Sequence, residues 1–239
     1  MDPRPTGPPA RADAVGPRFG SIPKPGGGLR RITLLDPAGD AEYRQAVSPL
    51  AGRIERALGP EVFAIRTRPA PGGWRPAPWG PARAAWRRAI RDVVDRPSRG
   101  TAFAVADVHD CYGSISPEMV EALLGPEAAH AVAFLRRLQE RGVRGLPIGP
   151  DPSAIVANAV LSEMDRAVRD TGARHLRWVD DVVVWGTPAE VRRALDGLDE
   201  TARGVGLALH ERKTRCLADA HEARAVALGG RDSSIIAAP

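Results

Sequence analysis

The chain has 239 residues, 43% of them apolar and 26% charged, with a formal net charge of +5. That length allows one large or two small domains with room for a hydrophobic core, and the composition is that of an ordinary globular protein. No run of eighteen apolar residues and no basic-then-apolar leader exists, and Cys111 and Cys216 have neither disulfide nor zinc spacing, so no membrane span, no secretory signal and a cytoplasmic setting are expected.

Met1 to Pro17 is rich in Pro, Gly and Ala without an apolar period, and reads as a disordered tail. Ser21 to Leu35 reads as a hairpin with a glycine tip, placing Lys24, Arg30 and Arg31 around the turn. Such a loop could close over phosphates or be an ordinary exposed basic hairpin. Asp40 to Leu58 has helical spacing through Tyr43, Val47, Leu50, Ile54 and Leu58. Arg66 to Gly80 reads as a Pro/Gly/Trp loop, and Pro81 to Val94 as a basic helix with Pro81 in its first turn.

Thr101 to Val108 is an apolar strand that carries Asp107, with Asp110 and Tyr112 just after it. Ser116-Pro117-Glu118 opens a helix with Ser116 as cap, and Pro126 to Arg141 is another. A rigid Gly145 to Ser153 loop leads into an apolar helix from Ala154 to Val168. Arg174 to Gly186 holds two β-branched and aromatic runs separated by Asp180 and Asp181, and reads as a buried hairpin. Thr187-Pro188-Ala189-Glu190 has the form of a capping box and opens a helix to Val205. Gly206 to Leu217 reads as two short strands joined by a turn containing Lys213, and Arg224 to Pro239 is weakly patterned. The order predicts an α+β fold, an antiparallel sheet with helices on one face.

Three features bear on function. Two charges at the tip of a buried hairpin are costly unless neutralised. Asp180 and Asp181 could cap backbone amides in a turn, or could bind a hard divalent cation. Asp107 ends a strand that could pair beside them, so three carboxylates can converge. The 66–99 segment carries nine arginines and Trp74, Trp79 and Trp86. That suits either a nucleic-acid groove or a basic helix with tryptophans in the core. Only two of the 34 basic residues are lysine, Lys24 and Lys213, and lysine differs from arginine in being able to release its proton.

From Ser21 to about Gly229, five motifs in order resemble the bacterial reverse transcriptases of group II introns and retrons. Ile22-Pro23-Lys24-Pro25-Gly26-Gly27-Gly28-Leu29-Arg30 resembles the fingers hairpin I-P-K-P-x-G-G-x-R. Asp107 to Tyr112 resembles the first catalytic motif. Gly145 to Ser153, with Ala157-Asn158 and Asp165, resembles G-L-P-Q-G-x-x-x-S…A-N…D. Trp178-Val179-Asp180-Asp181 stands where the family has Tyr-Ala-Asp-Asp, and Gly206 to Thr214 resembles G-L-x-L-x-x-x-K-T. Ile148 replaces the usual glutamine; the Pro147-Ile148-Gly149-Pro150 form is closer to abortive-infection and other defence-associated members.

The resemblance implies a reverse-transcriptase-like fingers and palm. Residues 18–100 would form the fingers and basic nucleic-acid-binding segment, and 101–239 the palm. No helical thumb is expected in the few residues after Gly229. It implies an RNA-directed DNA polymerase, serving phage defence, with two Mg²⁺ ions (or Mn²⁺) held by Asp107, Asp180, Asp181 and the Val108 carbonyl. Asp107, Asp180, Asp181 and Lys213 would be catalytic. Lys24 and Arg30, with Arg31 as alternative, would hold the triphosphate. Tyr112, Gly149 and Ser153 would contact the incoming nucleotide, Tyr112 excluding a 2′-hydroxyl. The partners implied are an RNA template, a DNA or RNA primer and dNTPs, with a second copy or another protein in place of the thumb. Two alternatives remain: a template-independent or protein-primed polymerase, and a non-catalytic nucleic-acid-binding subunit.

Overall fold

The apolar runs around Asp107 and Asp180 become the middle of a sheet that is buried on both faces. This computed structural model describes residues 16–24 and 27–229. Most of the expected N-terminal tail, Pro25 and Gly26 of the hairpin tip, and 230–239 lie outside the described residues. A two-stranded ribbon comes first, β1 (Arg18–Pro23) against β2 (Leu29–Leu34). Helix α1 (Pro37–Ala57) follows, its first turn capped by Asp36, which accepts from the Gly39 amide at 2.7 Å. The expected period is visible in α1, where Tyr43, Val47, Leu50 and Ile54 are all buried.

The short strand β3 (Val62–Ala64) leads into the ribbon β4 (Thr67–Ala70) and β5 (Gly73–Pro76). The sequence reading took that ribbon for a loop, because Pro69 and paired glycines argue against a central strand. Here the ribbon stands apart, so each strand keeps an unpaired edge where proline is tolerated. Next come α2 (Trp79–Val94), β6 (Ala102–Asp107), α3 (Cys111–Ser114), α4 (Pro117–Leu124) and, after a 3₁₀ turn, α5 (Ala129–Glu140). The long helix α6 (Asp151–Asp170) precedes the hairpin β7 (Arg174–Trp178) and β8 (Asp181–Gly186). Helix α7 (Pro188–Gly204) opens with the expected box, Thr187 bonding the Glu190 amide and Glu190 returning to the Thr187 amide. Strand β9 (Arg215–Leu217) and helix α8 (Ala220–Gly229) complete the described chain.

The central sheet has the order β3-β7-β8-β6-β9. It departs from the expected antiparallel sheet in being mixed, since β3 lies parallel to β7. Three residues are too few to show a period, so β3 was invisible to pattern reading. Of the two strands expected in Gly206 to Leu217, only β9 forms; Leu209 makes a single bridge to Val108.

Helices cover both faces of the sheet, not one. Ala104, Ala106, Val182 and Val184 point into a core shared with α1, α4, α5, α6 and α7. Phe103, Val105, Val183 and Trp185 point into a second core, built with Trp86, Ile90 and Val94 of α2 and Ala223 of α8. The i, i+4, i+8 spacing of those three α2 residues makes one apolar stripe on a helix whose other positions are largely arginine and alanine. Burying a side chain such as Ile90 or Val94 contributes about 1.5–3 kcal/mol, enough to commit the basic helix to the sheet. Among the described residues no helix is long and apolar enough to cross a membrane.

Candidate active site

Asp107 is the last residue of β6 and is 5% exposed. The 206–214 segment runs alongside the strand end. The His109 amide donates to the Ala208 carbonyl at 2.8 Å, and the His210 amide to the Asp107 carbonyl at 2.7 Å. This backbone lacing brings Lys213 over the carboxylate, where Nζ lies 3.0 Å from each oxygen of Asp107. The Val108 side chain is in the core, and its backbone bridges Leu209.

The second carboxylate comes from the β7–β8 turn. Trp178 pairs with Asp181, so Val179 and Asp180 form a two-residue loop. Val179 has φ +55°. A β-branched residue there is an outlier, and glycine is the usual solution at the first central position of such a loop when φ is positive. The conformation costs about 1–3 kcal/mol. Asp181 pairs in register with Asp107 across β8 and β6. Burial and the negative charge of Asp107 raise the half-buried Asp180 carboxyl above its ordinary value, against the opposing charges of Arg30 and Lys213. Asp107 and Asp180 are therefore close enough to repel one another.

Beneath the turn lies a buried polar network. The Arg177 side chain is fully buried. Its Nε and Nη2 donate to the two oxygens of Asp165 on α6, each at 2.8 Å. Its Nη1 donates to Asn158 Oδ1 at 2.9 Å and to the Val179 carbonyl at 2.8 Å. His175 Nε2 lies 3.1 Å from Asp165, and the Asn158 amide donates to the Ile65 carbonyl at 2.8 Å. Burial pushes the Asp165 carboxyl up, but Arg177 and His175 outweigh it and hold it at about 2 instead of 3.8. Sequence reasoning named Asn158 and Asp165 as parts of a motif and passed over Arg177. The signal was there: an arginine two residues after His175 in a strand, hence on the same face, directly before the acidic turn.

The 145–150 loop joins the site to the N-terminal ribbon. The Leu146 amide donates to the Tyr112 carbonyl at 2.8 Å, and the Thr33 amide to the Ile148 carbonyl at 2.8 Å. Gly145 has φ +62°, and a Cβ there would stand 2.3 Å from the Tyr112 carbonyl oxygen. Gly149 has φ +129° and would meet the Thr33 carbonyl at 3.0 Å. Through this docking β2 delivers half-buried Arg30, whose charge acts on both Asp180 and Tyr112. Arg31 points elsewhere, its guanidinium 3.6 Å from the centre of the Phe19 ring. Lys24 is exposed beside the ribbon tip, its backbone bonded to Gly27 and Gly28. Burial raises the Tyr112 hydroxyl pKa, and the negative charge of Asp180 adds to it. Ser153 is wholly buried, its hydroxyl 3.2 Å from that of Tyr43, so it presents nothing at the surface.

Asp107, Asp181 and Lys213 also line a cleft of about 210 Å³, with Arg83, Arg212 and Arg215 around it. Trp86 is a wall of this cleft and is 3% exposed. Of the three tryptophans in the basic segment, Trp86 is a core residue, and Trp79 meets Trp178 edge-on at 4.7 Å. The Arg83 guanidinium lies 4.7 Å from the Trp86 ring and 4.9 Å from that of Trp178.

The donors suit a hard divalent cation. Carboxylate oxygens are what Mg²⁺ takes, and a cation relieves the repulsion that raises Asp180. Among the described residues, no group of three or more His, Cys, Asp or Glu side chains is gathered to hold a metal. The carboxylates that meet at this strand end are Asp107 and Asp180, with Asp181 in register with Asp107.

No protein-family model matches the chain, and no curated protein sequence does. Solved structures do share its fold. Apo telomerase from Candida tropicalis, truncated from its C-terminal domain, superposes with a TM-score of 0.53 at 12% identity, over 85% of this chain and 50% of that one. Telomerase from Candida albicans in complex with a fragment of telomeric RNA gives 0.53 at 14% identity, over 87% and 43%. The chain thus spans half or less of the length of these telomerase chains. The chain shares the fold of the matched part of these telomerase structures.

Proposed function

We propose that the chain is an RNA-directed DNA polymerase acting through Asp107, Asp180 and Lys213. The observation that carries this reading is the convergence on one strand end of the Asp107–Asp180 pair, Lys213 on Asp107, and the charge of Arg30 on Asp180. Those four residues come from four sequence motifs that are far apart in the chain. The fold shared with telomerase, one example of which is bound to telomeric RNA, supports a nucleic-acid polymerase.

In this reading Asp107 and Asp180, with Asp181 beside them, hold Mg²⁺ or Mn²⁺. Bound there, the metal would supply Lewis-acid stabilisation of the charge that develops on the phosphoryl group. The 3′-hydroxyl of the primer loses its proton to solvent as its oxygen bonds to the α-phosphorus of a dNTP, the bond to the α–β bridging oxygen breaks, and pyrophosphate leaves. Arg30 and Lys24 neutralise the triphosphate. Lys213, a cation that can release a proton, supplies one to the departing pyrophosphate. Tyr112 excludes a 2′-hydroxyl by its bulk. The exposed arginines of α2 hold template and primer phosphates, and a second copy or another protein completes the grip on the duplex. The Pro147-Ile148-Gly149-Pro150 loop motivates a role in phage defence.

The test is incorporation of labelled dNTPs on a primed RNA with Mg²⁺. Asp107→Ala and Asp180→Ala are expected to abolish it while leaving circular dichroism unchanged. Substantial incorporation by either variant refutes the assignment.

A further inference from the structure

We propose that Arg177 is a positioning residue of this site: its guanidinium, anchored on Asp165, holds the Val179 carbonyl and thereby fixes Asp180 beside Asp107. Four of its hydrogen bonds carry the argument. Two go to Asp165 and one to Asn158, both on α6, which orient the guanidinium plane from the helix beneath the sheet. The fourth goes to the Val179 carbonyl, at the one residue of the β7–β8 loop with positive φ.

Geometry gives the reason for this arrangement. Val179 resists the left-handed conformation, because its branched Cβ crowds the backbone there. If the loop relaxed, the Val179–Asp180 peptide would rotate and carry the Asp180 side chain away from Asp107. A buried donor that would otherwise lack a partner at the Val179 carbonyl opposes that rotation. Arginine suits the task because its planar fork reaches a carboxylate and two further acceptors at once; a lysine ammonium on its flexible stem does not reproduce that geometry. The hydrogen bonds of Arg177 described above reach Asp165, Asn158 and the Val179 carbonyl, so its hold on Asp180 passes through the loop.

The catalytic consequence rests on the polymerase reading; the structural claim does not. The test pairs Arg177→Met with Asp165→Asn, so that no buried charge is left alone, and then adds Val179→Gly. Glycine adopts positive φ freely, so it should restore the loop without the clamp. Hydrogen exchange of the Val179, Asp180 and Asp181 amides is read first. The paired variant should exchange about tenfold faster there, with α6 and β6 unchanged, and Val179→Gly should reverse most of the gain. In primer extension, kcat should fall about tenfold with little change in KM for dNTP, and recover with the glycine. Arg177→Lys keeps a charge opposite Asp165 and should show the same loosening, which serves should the paired variant not fold. Unaltered exchange at the loop in a folded variant, or no reversal by Val179→Gly, overturns the proposal. A wild-type chain without incorporation would refute the polymerase reading alone, and the exchange data would still decide the role of Arg177.

Discussion

Replacing Asp165 by asparagine tests the network under the turn. The change keeps the shape and one acceptor but removes the charge opposite Arg177. The Arg177 and Asp165 side chains are 0% and 2% exposed, so solvent offers no relief. The depressed carboxyl sets the scale. A shift from 3.8 to about 2 corresponds to about 2.4 kcal/mol at neutral pH. A buried guanidinium donor left unpaired adds to this, and together they reach the about 3–5 kcal/mol expected on breaking a buried pair. The sign follows from the depressed pKa. The stabilisation is fully present above 3.8 and is lost as pH falls through about 2. At pH 3 roughly half of the linkage part should already be gone. Urea unfolding of both proteins at pH 7 and at successively lower pH gives the difference directly. The variant should be less stable by about 3–5 kcal/mol at pH 7, and the gap should narrow on acidification. A gap under about 1 kcal/mol, or one that does not change with pH, would falsify the account of Asp165 as the anchor.

Further outcomes follow from the same geometry. Gly145→Ala places a Cβ against the Tyr112 carbonyl in a left-handed conformation; it should lower stability by about 2 kcal/mol or more in thermal melts, and a neutral result would mean the loop is not docked as described. Asp180→Asn removes a charge whose pKa is raised by burial and by Asp107. That charge weakens the metal-free fold as pH rises through the raised value, so the variant should melt higher than wild type near neutral pH, with the advantage fading in acid, while incorporation is lost. Tyr112→Val should lower the dNTP over rNTP ratio of kcat/KM by about tenfold; an unchanged ratio in an active variant leaves Tyr112 as a packing residue.

What the sequence showed of the site was its charged endpoints. Asp107 and Asp180 stand out because charge inside apolar runs is costly, Lys213 because it is one of only two lysines, and the structure brings Lys213 onto Asp107. The Arg30 or Arg31 choice was open because adjacent strand residues face opposite ways; β2 turns Arg30 to the carboxylates and Arg31 to Phe19. Asp181 was expected to converge with Asp107 and Asp180, although strand neighbours alternate. It shares the Asp107 face because Asp180 lies in the turn, and the cross-strand register is set by β8. The second layer of helices was hidden for another reason. Arginine dominates α2, and its three buried residues declare a core only once a sheet is there to receive them. Ser153, a motif position expected to contact the incoming nucleotide, lies in the core with its hydroxyl 3.2 Å from that of Tyr43.

Three unfavourable terms of this fold gather at one end of one hairpin. A valine sits in a left-handed conformation, two carboxylates repel, and an arginine is fully buried, all within the Arg177–Asp181 stretch and its cross-strand neighbour Asp107. Elsewhere the described chain is well satisfied; Trp86 Nε1 is its one buried side-chain polar atom without a hydrogen-bond partner. Strain and like charge scattered at random would be relieved by single substitutions: glycine at 179, asparagine at 180, an aliphatic residue at 177 with its partner changed. Each such relief would raise stability or leave it neutral. Their coincidence at the place where Lys213 and Arg30 also converge supports the proposed reading of this strand end as a site for a cation and a polyphosphate. The strain sets the position of Asp180, the repulsion creates the demand for positive charge, and the buried arginine keeps the loop from relaxing before that charge arrives.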